Sequence, residues 1–405
     1  MPMRHSILYV GGSYPQCVAI KSLVDAGFDV HVADRQNCPP AQIVATQTHV
    51  VSATDTEALT TLGRALSENG SLFAYGIADF ACDSVAEINR TLVLGGQAPD
   101  TMLAMTDKNR TKELLSRQGV DVPRALWAGE AETFDAESFA NANGDECQII
   151  VKPGNANASA GVSLIDSGDI KSLKKAIDAA AAIDNRVVIE EFLAGEVRNL
   201  DVLVADGEVI PVSVTRRIAD PGLDFLPMAQ YQEPLSTYEN VADLVLLAEN
   251  IAHAFSFSEG PFTVDYIQTD RGPVVLEVSP HFHSIAMEIH RGNGNPLRAW
   301  FRYLSGDEDW RCDLATDREE TGAFLMMRAN MMGTLRGLRY EKELKALPIT
   351  KDVYRLKRDG TVITDLSAHG GLVGLAWLTG DSRDAIEAKI MSVIPEGLPS
   401  IRPKF

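Results

Sequence analysis

The sequence predicts a multidomain protein of mixed α/β and α+β class, and three observations carry that expectation. The first hundred residues alternate short apolar strands with helical patterns, which builds an open, mostly parallel sheet of Rossmann-like form. After Pro99 the pattern changes to a helix and then a strand-rich stretch over residues 149–218. At 405 residues, with 45% hydrophobic and 23% charged residues, the chain can bury a large core and divides into two to four domains. The expected boundaries are 1–100, 101–310 and 311–405.

In the first segment "ILYV" runs through Gly11-Gly12-Ser13 into a helix ending near Gly27, and "FDVHVAD" follows as the next strand. Asp34 stands about where a ribose-binding acid would. The dinucleotide fingerprint is nevertheless not met, because its third glycine is missing and Pro15 occupies the helix start. "TDKNRTKELLSRQG" predicts a helix from about Asp107 closed by Gly119. Residues 169–182, 239–257 and those after Ser382 read as helices, and Asp206-Gly207 and Asp359-Gly360 as hairpin turns.

Composition narrows the function. A net charge of -19 argues against a general nucleic-acid or anionic-membrane surface, so any anionic ligand must be held locally. The five cysteines are scattered without metal-type spacing, which fits reduced thiols. No apolar run is long enough to span a bilayer, and the start is too short in apolar residues for a signal peptide. The expected location is cytoplasmic.

Two stretches carry chemistry. In "IIVKPGNANASAGVSLI" an apolar strand ends at Lys152-Pro153, residues 154–161 are too small and polar to pack a core, and a second strand follows. The lysine precedes the loop, so this is not a Walker phosphate loop. It is either a surface turn or a hairpin lid over phosphate. In "GPFTVDYIQTDRGPVVLEVSPHFHS" two alternating runs flank a turn. If the loop is 270–272, Thr269 pairs with Pro273 and Asp265 lies opposite Glu277, with Thr263 and Ser279 on the same face. Opposed carboxylates roughly 5 Å apart repel. A divalent cation with oxygen ligands, magnesium or manganese, resolves the conflict. So does an arginine or lysine between the acids, or exposure of both to water.

Together these pieces resemble the ATP-grasp superfamily of carboxylate-amine ligases, related to biotin carboxylase, D-alanine:D-alanine ligase and the carbamoyl-phosphate synthase large chain. The likeness covers at least residues 5–305. It implies an ATP-grasp core of two α+β subdomains at 101–310, with a lid subdomain at about 120–195, and a small α+β domain at the C-terminus. By the same resemblance Lys108 and Lys152 hold ATP phosphates, and the loop with Ser159, Ala160 and Gly161 donates to them. "VVIEEFLAGE" is similar to the adenine hinge: backbone groups of Glu191 and Leu193 read the purine, Phe192 walls it and Glu190 accepts from its amine. Glu196 stands beside the family's ribose glutamate position.

Asp265 and Glu277 match the metal-bridging acids, and Ser279 stands where the family commonly has asparagine. The family continues with Pro-Arg, whereas this chain has Pro280-His281. His281, Arg291 or Arg216 is the candidate to brace phosphate and the acyl intermediate. The activity this implies is an ATP- and magnesium-dependent ligase that makes an acyl phosphate from a carboxylate and couples it to an amine, an amino acid by expectation. The alternatives are a bicarbonate-using carboxylase, a non-catalytic nucleotide-binding protein, and an oxidoreductase using residues 5–35. The expected partners are the small-molecule carboxylate and amine, with a homodimer as the default assembly.

Overall fold

The computed structural model describes residues 5–143, 148–154, 161–220, 223–238, 240–283, 295–314, 320–367 and 370–405, without the side chains of 223–225 and 236. Its class is mixed α/β and α+β, built on several sheets.

The first sheet contains β1 (His5–Val10), β2 (Asp29–Asp34), β3 (Gln47–Val50) and β4 (Ser71–Gly76), in the order β3-β2-β1-β4 and parallel throughout. Parallel neighbours need crossovers, and helices α1 (Cys17–Asp25) and α2 (Thr56–Ser67) supply them. Helix α3 (Asp79–Leu92) leaves the C-terminal end of β4 and α4 (Pro99–Thr106) follows. The oxidoreductase expectation loses its acid here. Asp34 accepts from the Gly12 N–H at 2.9 Å and the Gln36 N–H at 2.8 Å, so its carboxylate fastens the glycine turn.

Helix α5 (Lys108–Arg117) starts at the expected place, where Asp107 accepts from the Asn109 and Arg110 N–H groups, each at 3.0 Å. A second sheet of β5 (Ala125–Glu130), β6 (Gln148–Pro153), β7 (Ser163–Asp166) and β8 (Arg186–Glu191) is antiparallel in the order β5-β8-β6-β7. Helices α6 (Ala136–Asn143) and α7 (Ile170–Ala181) cover one face through Phe139, Leu173 and Ile177 against Ile149, Val151, Val187 and Ile189. Strands β6 and β7 pair directly, so they form the two legs around residues 154–161.

The third sheet has eight strands. Strands β9 (Glu196–Ala205), β10 (Glu208–Asp220), β11 (Leu223–Glu233), β12 (Gly260–Thr269) and β13 (Gly272–Ser279) are joined by β14 (Thr321–Arg328), β17 (Thr350–Arg355) and β19 (Leu372–Gly380), in the order β13-β12-β9-β10-β11-β14-β19-β17. The segment after residue 311 thus continues the sheet of the preceding one. Asp206 (φ 54°) and Gly207 (φ 75°) make the two-residue β9–β10 turn, as a primed turn requires. On β9 the pleat points Leu200, Val202 and Val204 toward helix α8 (Val241–Ala254), while Leu203 and Ala205 pack on the first domain with Phe282 and with Trp300 of α9 (Pro296–Leu304).

Two turn readings are corrected. The β12–β13 loop holds two residues, so Thr269 pairs with Gly272 rather than Pro273. A bulge then shifts the register by one, and Asp265 does face Glu277. Asp359-Gly360 is a turn, but not between paired strands. The short strand β18 (Val362–Ile363) that follows pairs with β15 (Gly333–Thr334), while β17 pairs with β19. A last pair, β16 (Gly337–Leu338) with β20 (Pro403–Lys404), and helices α10 (Glu341–Ala346) and α11 (Arg383–Val393) complete the chain.

Candidate active site

One face of the eight-stranded sheet packs on α8 over β9, β12 and β13, and the β12–β13 bulge shapes a polar patch on the other. Val275 and Val278 both pack with α8, so the two residues between them, Leu276 and Glu277, are left to the other side. That side carries Asp265, and beside it Asn199 of β9 and Arg217 of β10. Arg217 donates from Nη2 to Asp265 Oδ2 at 2.7 Å and from Nε to Asn199 Oδ1 at 2.8 Å, and the Asn199 amide donates to Asp265. Glu277 takes Lys108 Nζ of α5 at 3.1 Å. Burial pushes the Glu277 carboxyl upward, Lys108 draws it back, and the charges of Asp79 and Asp265 add to the rise.

The first domain contributes to the same face. Asp79, the first residue of α3, accepts on Oδ1 from Ser279 Oγ and His281 Nε2, each at 3.0 Å. His281 Nδ1 lies 2.9 Å from the Phe282 carbonyl, so both ring nitrogens face acceptors, an arrangement that favours the charged ring. Burial lowers the His281 pKa, but the bond to Asp79 and its charge outweigh that and raise it. For Asp79 burial is the largest influence and acts upward, yet the His281 and Ser279 bonds together hold it down to about 2.

Behind these groups lies Asp201, fully buried. Its oxygens meet Thr263 Oγ1 at 2.6 Å, the His283 N–H at 2.8 Å and Ser213 Oγ at 3.1 Å, and burial pushes its pKa to about 6. Among the buried polar atoms that lack a hydrogen-bond partner within the described residues are Thr215 Oγ1, Gln230 Oε1 and His283 Nδ1. Thr215 is paired across from Asn199 and Gln230 from Arg217, so both share the face of Asp265. Orphaned polar groups of this kind are costly and mark a face shaped for a polar ligand.

The second sheet presents its own cluster. Glu190 of β8 is 2% exposed and is held by two cations: Lys152 of β6, 2.7 Å from Oε2, and Lys112 of α5 on the other oxygen. Glu191 turns outward and accepts from the Arg124 N–H at 3.0 Å. Phe192 and Leu193 are half-buried just beyond β8. Gly161 (φ 70°) adopts a left-handed backbone that favours glycine, and a Cβ there would displace the Ile183 side chain. A cavity of about 450 Å³ opens between Asp79, Phe80, Lys108, Gly154 and Arg186.

The structure thus brings together Asp265, Glu277, Ser279, His281 and Lys108, and sets Lys152 with Glu190 on the facing sheet. Arg216 and Glu196 are not brought to them. Arg216 is register-paired with Arg198, one residue out of step with Arg217, and so lies on the α8 side. There its Nε meets Glu233 at 2.6 Å, its Nη1 meets Glu196 at 3.4 Å, and it packs with Arg198 against the Tyr238 ring. The expectation of Arg216 as the bracing arginine and of Glu196 at the ribose is corrected on that ground. Ser159, Ala160 and Arg291 lie outside the described residues.

Asp79, Lys112, Asn199, Asp201, Arg217 and His283 were missed by sequence reasoning. Lys112 carried a signal, four residues after Lys108 on one helix face. Asp79 carried a weaker one, as an acid just beyond a parallel strand end.

The donors around Asp265 and Glu277 are oxygens, from two carboxylates, the Asn199 amide and the Ser279 hydroxyl. Among the described residues no three acidic, histidine or cysteine side chains converge on one point. The all-oxygen donor set suits magnesium, which binds through one or two carboxylates and takes its remaining ligands from phosphates and water. Arg217 and Lys108 neutralise the acids in this structure.

Facing sheets, paired lysines and opposed acids make up the candidate site. Residues 105–284 match the ATP-grasp domain family, in agreement with the resemblance the sequence carries over that segment. It is 30% identical to D-alanine--D-alanine ligase of Mycobacterium ulcerans over 45% of this chain and 52% of that one. It is 26% identical to the L-arginine-specific L-amino acid ligase of Bacillus subtilis over 49% and 47%. The chain therefore spans about half the length of these two curated relatives. Among solved structures, L-amino acid ligase from Bacillus licheniformis superposes with a TM-score of 0.76 at 17% identity, covering both chains fully. Carboxyaminoimidazole ribonucleotide synthase from Aspergillus clavatus, complexed with ATP, gives 0.72 at 14% identity over 97% and 98%. At these identities the two structures share the fold. No helix of the described residues is long and apolar enough to cross a membrane.

Proposed function

We propose that the protein is an ATP-dependent ligase that activates a carboxylate as an acyl phosphate and couples it to an amine, with an amino acid as one substrate. The observation that carries this reading is the opposed pair Asp265 and Glu277 on one sheet, facing Lys152 on another, with Lys108 reaching Glu277 from the helix between them. Phosphoryl transfer asks a protein chiefly for positioning and charge neutralisation. Magnesium held by Asp265 and Glu277, with Asn199 and Ser279 beside them, would neutralise phosphate charge when bound. Lys108 and Lys152 are the phosphate-binding cations.

The carboxylate oxygen attacks the terminal phosphorus of ATP, the bond to ADP breaks, and the amine then displaces phosphate from the acyl carbon. The oxyanion formed in that second step needs a preset donor. Arg217, a guanidinium on the same face, is the proposed donor, while His281, which stands where the family has an arginine, is engaged through both ring nitrogens and braces Asp79. The unpartnered atoms of Thr215, Gln230 and His283 are suited to the polar ends of the two substrates. The partners are small molecules, and a homodimer is the assembly proposed.

A second reading, a bicarbonate-using carboxylase, is favoured by one observation. The carboxyaminoimidazole ribonucleotide synthase fold matches nearly the full chain, including the strands after residue 320. The test is nucleotide product analysis with magnesium and ATP. ADP and phosphate released only with amino acids and small carboxylates support the ligase, whereas release driven by bicarbonate alone supports the carboxylase. AMP and pyrophosphate would overturn both, and no turnover with any addition leaves a nucleotide-binding protein.

A further inference from the structure

Lys112 has no part in the function proposed above, yet it occupies the centre of the lysine cluster. It lies one helical turn beyond Lys108 on α5, so both ammonium groups leave the same helix face. Lys108 reaches the eight-stranded sheet at Glu277, while Lys112 reaches the smaller sheet at Glu190. Glu190 is already engaged by Lys152 at 2.7 Å, so one buried carboxylate carries two ammonium ions. A single lysine would have sufficed to neutralise it.

The second cation acquires a purpose when an anion arrives. If Lys152 turns to the phosphates of a nucleotide, it must release Glu190. Glu190 is 2% exposed, and a carboxylate at that depth cannot be left without a counter-charge. We propose that Lys112 is a positioning residue of the nucleotide site, which keeps Glu190 neutralised and in place while Lys152 transfers from Glu190 to phosphate. This rests on the nucleotide-binding role proposed for Lys152. Burial, followed by the neighbouring ammonium groups, lowers the pKa of Lys112. Two cations crowding one carboxylate repel each other, and that repulsion makes the departure of Lys152 easier.

The test is calorimetric titration with magnesium-ATP of the wild type and of Lys112→Met, Lys112→Arg, Glu190→Gln and the Lys112→Met/Glu190→Gln double variant. Lys112→Met is expected to weaken binding at least tenfold, and Lys112→Arg to stay within about threefold of the wild type. In the Glu190→Gln background the same Lys112→Met change is expected to alter affinity less than twofold, because no carboxylate remains to be held. An equal tenfold loss in that background would make Lys112 a direct nucleotide ligand and overturn the proposal, as would unaltered binding by Lys112→Met. If Lys112→Met does not fold, as judged by thermal unfolding, Glu190→Gln is compared with the double variant. Matching affinities support the proposal, and a tenfold gap sinks it. A wild type that binds no nucleotide refutes the role of the whole site, a result distinct from any of these.

Discussion

At the scale of single residues, the candidate site is a set of charges that hold one another in check. Glu277 is buried between Lys108 and the negative charges of Asp79 and Asp265, and its carboxylate is one of the two proposed to hold metal. Glu277→Gln keeps the shape and removes the charge. It is expected to lower turnover by more than a hundredfold with thermal unfolding within a few degrees of wild type, and full activity would refute the metal assignment. Asp201 gives a prediction about stability instead. Its folded pKa of about 6 lies above the ordinary value of 3.8, so the folded state holds the proton more tightly than the unfolded chain. The stability linked to that proton is present below about pH 4 and is lost as pH rises through 6. Over that window the wild type should lose up to about 3 kcal/mol relative to Asp201→Asn. Parallel stability curves for the two proteins from pH 4 to 7 would show that Asp201 is not the group responsible.

At the scale of elements, the β12–β13 hairpin depends on an anchor from outside the sheet. Gln97, in the chain between α3 and α4, donates from one amide nitrogen to the Pro261 carbonyl at 2.7 Å and the Pro280 carbonyl at 2.9 Å. Gly260 (φ 110°) makes room for it, since a Cβ there would stand 2.2 Å from Gln97 Cγ. Gln97→Leu should cost about 2 kcal/mol in chemical denaturation, for two buried carbonyls left unpaired. A loss within a few tenths of a kcal/mol would mean that water replaces the amide. The hairpin also shows which features were legible in sequence. Alternation and the acid spacing placed Asp265 opposite Glu277, because side chains on a strand repeat every two residues. The bulge was not legible, because nothing in "VVLEV" announces an extra residue, and without it the assumed three-residue turn reached the right pair by a compensating error. The choice between Arg216 and Arg217 failed for a related reason. Adjacent arginines on a strand lie on opposite faces, and only the register of β10 against β9 tells which face meets Asp265. Helix starts fared better, since the signals at Asp107, Asp169 and Ser382 are local and each caps its helix.

At the scale of the whole molecule, the first domain is part of the site rather than an appendage. Its parallel sheet ends beside the polar face of the large sheet, and α3 delivers Asp79 there, about two hundred positions before its partners in the chain. A contact of such sequence separation was beyond any local pattern. The same placement separates two roles. Lys108, Lys112 and Lys152 meet carboxylates of the two later sheets, whereas Asp79 is held by Ser279 and His281. Removing Asp79 should leave the ion pairs of these lysines in place, apart from the loss of its charge near Lys108, and release His281. Without its acceptor the buried ring loses the partner that orients it, and Ser279, beside Asp265 and Glu277, loses the same anchor. Asp79→Ala is expected to lower kcat ten- to a hundredfold while magnesium-ATP affinity stays within about threefold. Loss of ATP binding to the same extent would show instead that the first domain holds the grasp sheets together. Unchanged kcat would remove both Asp79 and His281 from the reaction and leave Arg217 as the cation that steadies the intermediate.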